Sequence, residues 1–181
     1  MSKPHYLDAL GRVGVLSALS QFDPHVAGTP PLELDLADSD IDVLCHAPDP
    51  VRFVCAIWTA FGEYSDFSAR QRKAGDRPVI AQFSAEGWVF EVFGGVQPVR
   101  NQIGWRHFRI EQRLLSLGGA TLRTLIMEQR RSGLKTEPAF AAVLNLPGDP
   151  YEALLAIETW SDEALNGLLA GVCTTPSWTG H

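Results

Sequence analysis

The sequence predicts an α+β fold, in which a sheet region at about residues 22–95 is followed by a helical region at about residues 100–175. Strand-type alternation and short apolar runs are concentrated in the first region, whereas apolar residues recur at helical spacing in the second. The chain shows neither internal repeats nor low-complexity segments nor an obvious linker. We therefore expect residues 1–181 to form a single domain.

The patterns of the first region predict two helices and five strands. Apolar spacing favours a helix over residues 5–20, and Asp49 with Pro50 suits the start of a second helix. Alternation and turn residues favour strands at residues 25–29, 32–36, 39–45, 79–84 and 88–93. The polar residues 65–78 are typical of a loop.

The second region shows five helical patterns, separated by glycine, proline and capping residues. They cover residues 101–117, 121–133, 135–146, 149–160 and 161–172. Gly118 and Gly119 are expected to end the first of them, and Ser161 is a suitable N-cap for the last. We expect the tail at residues 174–181 to be frayed.

The composition is that of a folded, acidic protein. Hydrophobic residues make up 45% of the 181 residues and charged residues 20%, and the formal net charge is −6. Because nucleic-acid binding depends largely on Lys and Arg against phosphates, we expect no strong general binding to nucleic acids. Carboxylates are nevertheless suitable ligands for a divalent metal that holds a nucleotide.

The cysteines and the N-terminal segment favour a cytoplasmic protein without a membrane partner. Cys45, Cys55 and Cys173 form no CxxC pair and lie in apolar runs, so we expect buried free thiols in a reducing compartment. Asp8 and Arg12 interrupt any signal-peptide core. No stretch approaches the 18 or more apolar residues of a membrane span. The sequence does not indicate an oligomeric state.

Two aspartates lie two residues apart on the strand predicted at residues 39–45. Asp40 and Asp42 should therefore share one face of the strand, while Ile41 and Val43 point to the core. Carboxylates with Cα atoms about 6–7 Å apart repel each other unless a cation lies between them, and Mg²⁺ (or Mn²⁺) suits that place. The alternative is a solvated acidic turn before the strand.

A third carboxylate, Glu91, interrupts the apolar segment WVFEVF. A carboxylate in such a strand is unfavourable unless it is paired or bound to metal, so Glu91 is the candidate third ligand. An outward-facing edge residue or a structural ion pair is the alternative. Upstream, Gly28 and Thr29 form a turn whose amides and hydroxyl suit a phosphate.

The order of these motifs resembles the nucleotidyltransferase superfamily, which has the polymerase-beta-like fold. In that superfamily a Gly-Ser or Gly-Gly turn precedes an Asp-x-Asp strand, and a later strand carries a third acidic residue. The chain also resembles a bacterial family of unknown function with this fold, in residues 27–45, 90–115 and 134–155. Thr29 replaces the usual serine. Pro30 and Pro31 then disfavour a helix where the superfamily often begins one.

The resemblance implies a small, mixed, mostly antiparallel sheet flanked by helices, with a helical C-terminal half. It implies transfer of a nucleoside monophosphate from a nucleoside triphosphate to an unknown acceptor. Asp40, Asp42 and Glu91 would be the catalytic and metal-binding residues, and Gly28 and Thr29 would bind phosphates. A non-catalytic nucleotide-binding or interaction module of this fold and a metal-dependent phosphohydrolase are the alternatives.

Residues of the helical region are further candidates for substrate binding. Arg106 and His107 lie on its first predicted helix, where His107 and Glu111 share a face and could bind substrate or transfer protons. The alternative is a helix-surface pair or a core histidine whose hydrogen bonds are satisfied. Lys135 could reach a phosphate or serve only as a charge at a helix start.

The densest basic stretch lies in the predicted loop, at Arg70, Arg72, Lys73 and Arg77. It is either a solvated loop or a mobile flap over a triphosphate, a role for which arginine is suited. The tryptophans are expected mostly in the core, although Trp105 could stack on a base.

Overall fold

The structure is a computed structural model that describes residues 3–73 and 75–173. The chain divides into two compact units, Met1–Trp105 and Arg106–His181. The fraying expected at residues 174–181 lies outside the described residues. None of the described helices is both long and apolar enough to cross a lipid bilayer.

The first unit contains a five-stranded mixed sheet. Its strands are β1 (His25–Ala27), β2 (Ile41–His46), β3 (Ser65–Gln71), β4 (Val79–Ala85) and β5 (Trp88–Gly95). They lie in the order β1-β2-β5-β4-β3. The β2–β5 pair is parallel and the other three pairs are antiparallel. The expected mixed, mostly antiparallel sheet is therefore confirmed.

Helices pack on one face of this sheet. They are α1 (Tyr6–Val13), α2 (Val15–Ala18) and α3 (Pro50–Phe61). The helix expected over residues 5–20 breaks at Gly14, which adopts the left-handed conformation with φ +69°. The start of α3 is as predicted, because Asp49 Oδ1 accepts hydrogen bonds from the amides of Val51 and Arg52.

The core of the first unit lies between the sheet and these helices. Ile41 and Val43 of β2 are fully buried in it. The rings of Phe61, Phe83 and Phe90 stack there, with centroid distances of 4.7 Å and 5.1 Å. Burying a side chain of this size contributes about 1.5–3 kcal/mol, so the core determines which way each strand faces.

The segment at residues 32–36 forms no strand, so that prediction is wrong. The carbonyl of Thr29 accepts hydrogen bonds from the amides of both Leu32 and Leu34, which folds the segment back on itself. Leu32 and Leu34 are buried and Glu33 between them is exposed, so apolar and polar residues alternate as they would in a strand. Pro30–Leu32 is a short 3-10 helix, because its prolines occupy first-turn positions that need no amide donor.

The opposite difference occurs at residues 65–78, where a loop was predicted and residues 65–71 form β3. This strand pairs only with β4 and is an edge strand. Its side chains are exposed apart from the partly buried Phe67, so the strand lacks the alternation that marks a half-buried strand. Cys55 is also exposed rather than buried, whereas Cys45 is buried as expected.

The second unit is helical, as predicted. It holds α5 (Thr136–Val143), α6 (Pro150–Ile157), α7 (Asp162–Cys173) and residues 106–131 of α4 (Ile103–Arg131). The backbone of α4 is broken at Gly119, with φ 60° and ψ −151°, where its first helix was expected to end. The predicted N-cap is present before α7, because Ser161 Oγ accepts a hydrogen bond from the amide of Ala164 at 3.2 Å.

Candidate functional site

The acidic residues lie on the face of the sheet that is opposite the core. Strand register places five residues in one row across this face, in the order Ala27, Asp42, Glu91, Gln82 and Ser68. Paired residues on neighbouring strands point to the same side, and residues adjacent along a strand point to opposite sides. Because Ile41 and Val43 point into the core, the row points away from it. We call this side of the sheet the carboxylate face.

Asp42 and Glu91 are direct partners on the parallel strands β2 and β5. Neighbouring strands are about 4.8 Å apart, so two carboxylates leave the sheet side by side. Both residues are partly buried. Burial raises the pKa of Glu91, and the charge of Asp40 raises it further, while Arg70 and Arg72 act in the opposite direction.

Asp40 lies one residue before β2, and not within it. It is partly buried, and its charge acts on Glu91. Asp40 and Asp42 were expected on the same strand, but only Asp42 lies within β2. Asp40 directly precedes the first residue of β2 and lies two positions before Asp42.

The Gly28 turn lies directly against Asp42. A Cβ atom at position 28 would lie 2.2 Å from Asp42 Oδ2, a distance that no real contact permits. Gly28 also has φ +76°, which favours glycine. The missing side chain is therefore what allows the turn after β1 to approach the Asp42 carboxylate.

Thr29 connects this turn to the acidic segment. Its hydroxyl donates a hydrogen bond to Ser39 Oγ at 3.2 Å, and the same Ser39 oxygen accepts one from the amide of Leu36 at 2.8 Å. Ser39 is buried and immediately precedes Asp40. The predicted phosphate turn and the predicted metal ligands thus form one connected substructure.

Lys3 is a residue of this region that sequence reasoning missed. Its ammonium group donates hydrogen bonds to the carbonyls of Ser39, at 2.7 Å, and Ala37, at 3.3 Å, and lies 3.4 Å from the ring centroid of Trp88. Burial lowers the pKa of Lys3, and nearby aspartates including Asp40 oppose that shift. No sequence motif signals this lysine, because its partners are carbonyl groups more than 30 residues away.

The aromatic candidate Trp105 lies at the end of the first unit. Its ring packs against that of His25 on β1, with a centroid distance of 5.0 Å. His25 Nε2 is also 3.0 Å from Asp23 Oδ1. The stacking of Trp105 on a base stays a prediction.

The remaining candidates belong to the second unit, where Arg106 and His107 have partners. Arg106 forms an ion pair with Glu158 through two of its nitrogens. His107 is buried, with Nε2 2.9 Å from the carbonyl of Tyr151. Lys135 is exposed and occupies the N-cap position of α5. Substrate binding by Arg106, His107 and Lys135 stays a prediction.

The donor set of the carboxylate face fits a hard divalent cation. Asp42 and Glu91 supply adjacent carboxylate oxygens, and Mg²⁺ is usually held by one or two carboxylates together with substrate phosphates. Within residues 3–73 and 75–173, no group of three or more His, Cys, Asp or Glu side chains is arranged to hold a metal ion. Metal binding by Asp40 and Asp42, with Glu91 as the third ligand, therefore stays a prediction.

Solved structures identify the class of fold. The chain is similar to a chain of the GLD-2/RNP-8 complex, with a TM-score of 0.55 and 12% identity over 92% of this chain and 74% of that one. It is also similar to Cid1 poly(U) polymerase with Mg and 3′-dATP bound, with a TM-score of 0.56 and 14% identity over 87% of this chain. The chain spans 49% of that Cid1 chain. The fold is that of the nucleotidyltransferases.

Within this class, the chain belongs to the family described as domain of unknown function DUF4269, whose family model matches residues 8–157. A further similar structure is Cid1 in complex with the UTP analogue UMPNPP, with a TM-score of 0.52 and 12% identity over 87% of this chain and 47% of that one. The comparison with curated proteins found no match.

Proposed function

We propose that this protein is a metal-dependent nucleotidyltransferase, which moves a nucleoside monophosphate from a nucleoside triphosphate to an acceptor hydroxyl. The observation that carries the proposal is the pairing of Asp42 with Glu91 on adjacent parallel strands, with Gly28 against Asp42. Similar folds include one with Mg and 3′-dATP bound and one bound to a UTP analogue.

Asp40, Asp42 and Glu91 would hold Mg²⁺ (or Mn²⁺), with nucleotide phosphates completing its ligands. A bound divalent ion would neutralise the charge that develops on the transferring phosphoryl group. Gly28 and Thr29 would hold the triphosphate. Gly28 has no side chain where the turn approaches Asp42, so phosphates beside Asp42 would come close to the backbone amides of the turn. Arg106, His107 and Lys135 would add substrate contacts.

Glu91 would either ligate the metal or act as the general base, and as the base it would take the proton of the acceptor hydroxyl. The acceptor oxygen forms a bond to the α-phosphorus while the bond from that phosphorus to the pyrophosphate leaving group breaks. Because burial raises the pKa of Glu91, its carboxylate is a stronger base than an exposed one. The proposal is supported by the register of Glu91 with Asp42 on the same face of the sheet.

A second candidate function is non-catalytic nucleotide binding. It is favoured by the finding that the described carboxylates form no three-membered metal-binding group on their own. A binder of this kind would bind a nucleoside triphosphate through Gly28 and Thr29 and would release no pyrophosphate.

A transfer assay tests the proposed function. The full chain is incubated with Mg²⁺ and each of the four ribonucleoside triphosphates, labelled at the α-phosphate, together with a pooled extract of small-molecule acceptors. We expect a labelled product and pyrophosphate with the wild type and with D8N, an exposed aspartate of α1. D42N and E91Q should form neither. Labelled monophosphate without acceptor would indicate a hydrolase, and nucleotide binding without turnover would indicate the binder.

A further inference from the structure

Two arginines, one in the edge strand β3 and one directly after it, face the same side as the paired carboxylates. Arg70 pairs with Ile80 on β4, two residues along from the row that contains Ser68 and Glu91. It therefore lies on the carboxylate face. Arg72 continues the ladder, since its amide donates a hydrogen bond to the carbonyl of Pro78, and alternation places it on the same face.

The charges of these arginines act on Glu91, but within the described residues their guanidinium groups form no direct contact with a carboxylate. Both are exposed, and neither forms a side-chain hydrogen bond or an ion pair with the part of the chain that the structure describes. Arg12, Arg106 and Arg113, in contrast, each form an ion pair with a carboxylate. Two unpaired guanidinium groups on one strand of an acidic protein form a binding surface for an anion.

The position of the arginines separates them from the phosphate turn. Gly28 follows β1, at one edge of the sheet, and Arg70 lies on β3, at the other edge. Glu91 lies between them, two strands or about 10 Å from β3. A nucleoside triphosphate held at Gly28 thus lies on the far side of Glu91 from the arginines. The side of Glu91 that faces β3 is left for the acceptor.

We propose that Arg70 and Arg72 bind the phosphate group of a small phosphorylated acceptor, which presents its hydroxyl to Glu91. The inference rests on the proposed function, because it names the acceptor class of the same site. Arginine binds phosphate through paired hydrogen bonds, and the span of about 10 Å between the strands fits a phosphomonoester of a sugar or polyol. Two guanidinium groups and a net charge of −6 do not fit a long nucleic acid.

The test measures binding of matched phosphorylated and unphosphorylated compounds by calorimetry, in metal-free buffer at low salt. The pairs are ribose 5-phosphate with ribose, glucose 6-phosphate with glucose, and glycerol 3-phosphate with glycerol. The variant is R70Q/R72Q, and the control is R52Q, an exposed arginine on α3, which packs on the core face of the sheet. Metal-free binding does not require turnover, so the result is independent of whether the protein transfers nucleotides.

We expect at least one phosphomonoester to bind at least tenfold more tightly than its parent compound. R70Q/R72Q should remove that preference and R52Q should retain it, while R70Q/R72Q should change the affinity for Mg²⁺ with a non-hydrolysable triphosphate less than twofold. Equal binding of every pair by the wild type would overturn the proposal. Loss of triphosphate affinity in R70Q/R72Q would also overturn it, because the arginines would then hold the donor. Tight binding of an RNA oligonucleotide through the same arginines would overturn the small-molecule assignment.

Discussion

Asp42 and Glu91 are directly paired across two parallel strands and leave the sheet on the side opposite the hydrophobic core. Forty-nine positions separate them in the sequence, and the sheet makes them neighbours. Burial raises the pKa of Glu91, and the charge of Asp40 raises it further. Carboxylates that are partly buried and close together are typical of sites that bind a cation or transfer a proton.

Replacing Gly28 with alanine should disrupt the site while leaving the core intact. The new Cβ would be 2.2 Å from Asp42 Oδ2 and would require a left-handed backbone conformation. We expect G28A to weaken binding of Mg²⁺ with a non-hydrolysable triphosphate at least tenfold. G11A is the matched control, because a Cβ there meets no atom within 4 Å. Calorimetry with both variants measures the effect, and unchanged affinity in G28A would contradict the proposed contact.

Replacing Glu91 with glutamine should have opposite effects on stability and on metal binding. Without metal, removing a partly buried charge near Asp40 should stabilise the fold slightly. The stabilisation that Mg²⁺ gives to the wild type should disappear in E91Q. Thermal unfolding with and without Mg²⁺ tests both, and E63Q, an exposed glutamate after α3, is the control. A Mg²⁺ response in E91Q equal to that of the wild type would exclude Glu91 as a ligand.

Glu111 should make the stability of the second unit depend on pH. The residue is 5% exposed, its Oε1 has no hydrogen-bond partner among the described residues, and burial raises its pKa well above the ordinary value, with Glu137 adding to the shift. The folded state thus retains the proton to higher pH than the unfolded chain. Stability is fully present below the unfolded-state pKa and is lost as pH rises through the folded-state pKa.

E111Q should remove this dependence, because glutamine has nearly the same shape and does not ionise. Denaturant unfolding between pH 4 and pH 9, about the range between ordinary and strongly raised carboxyl pKa values, should show the wild type losing stability by at most about 1.4 kcal/mol per pH unit. The E111Q curve should lose that slope, and the control E128Q, an exposed residue of α4, should follow the wild type. Parallel curves for wild type and E111Q would show that Glu111 does not carry the effect.

The sequence predicted well those features that depend on local chemistry. The N-caps Asp49 and Ser161 and the break at Gly119 all follow from residue types at short range.

Features that depend on distant partners were not predictable. Residues 65–71 form an edge strand because they pair with β4, and no residue pattern within the segment indicates that pairing. Residues 32–36 alternate like a strand, yet their leucines fill space beside a folded-back segment. The residue types of the candidate site were recognisable in the sequence. Only the folded structure shows the register of Asp42 with Glu91 and the contact of Gly28 with Asp42. The same is true of the hydrogen bonds of Lys3.

The central claim is that Asp40 and Asp42 hold a divalent metal with a nucleotide, and calorimetry tests it most directly. The wild type and D8N are titrated with a non-hydrolysable nucleoside triphosphate in the presence and absence of Mg²⁺, beside D40N and D42N. The account predicts Mg²⁺-dependent binding by the wild type and D8N, and a loss of at least tenfold in D42N and in D40N. Binding by D40N and D42N that equals the wild type would contradict the account.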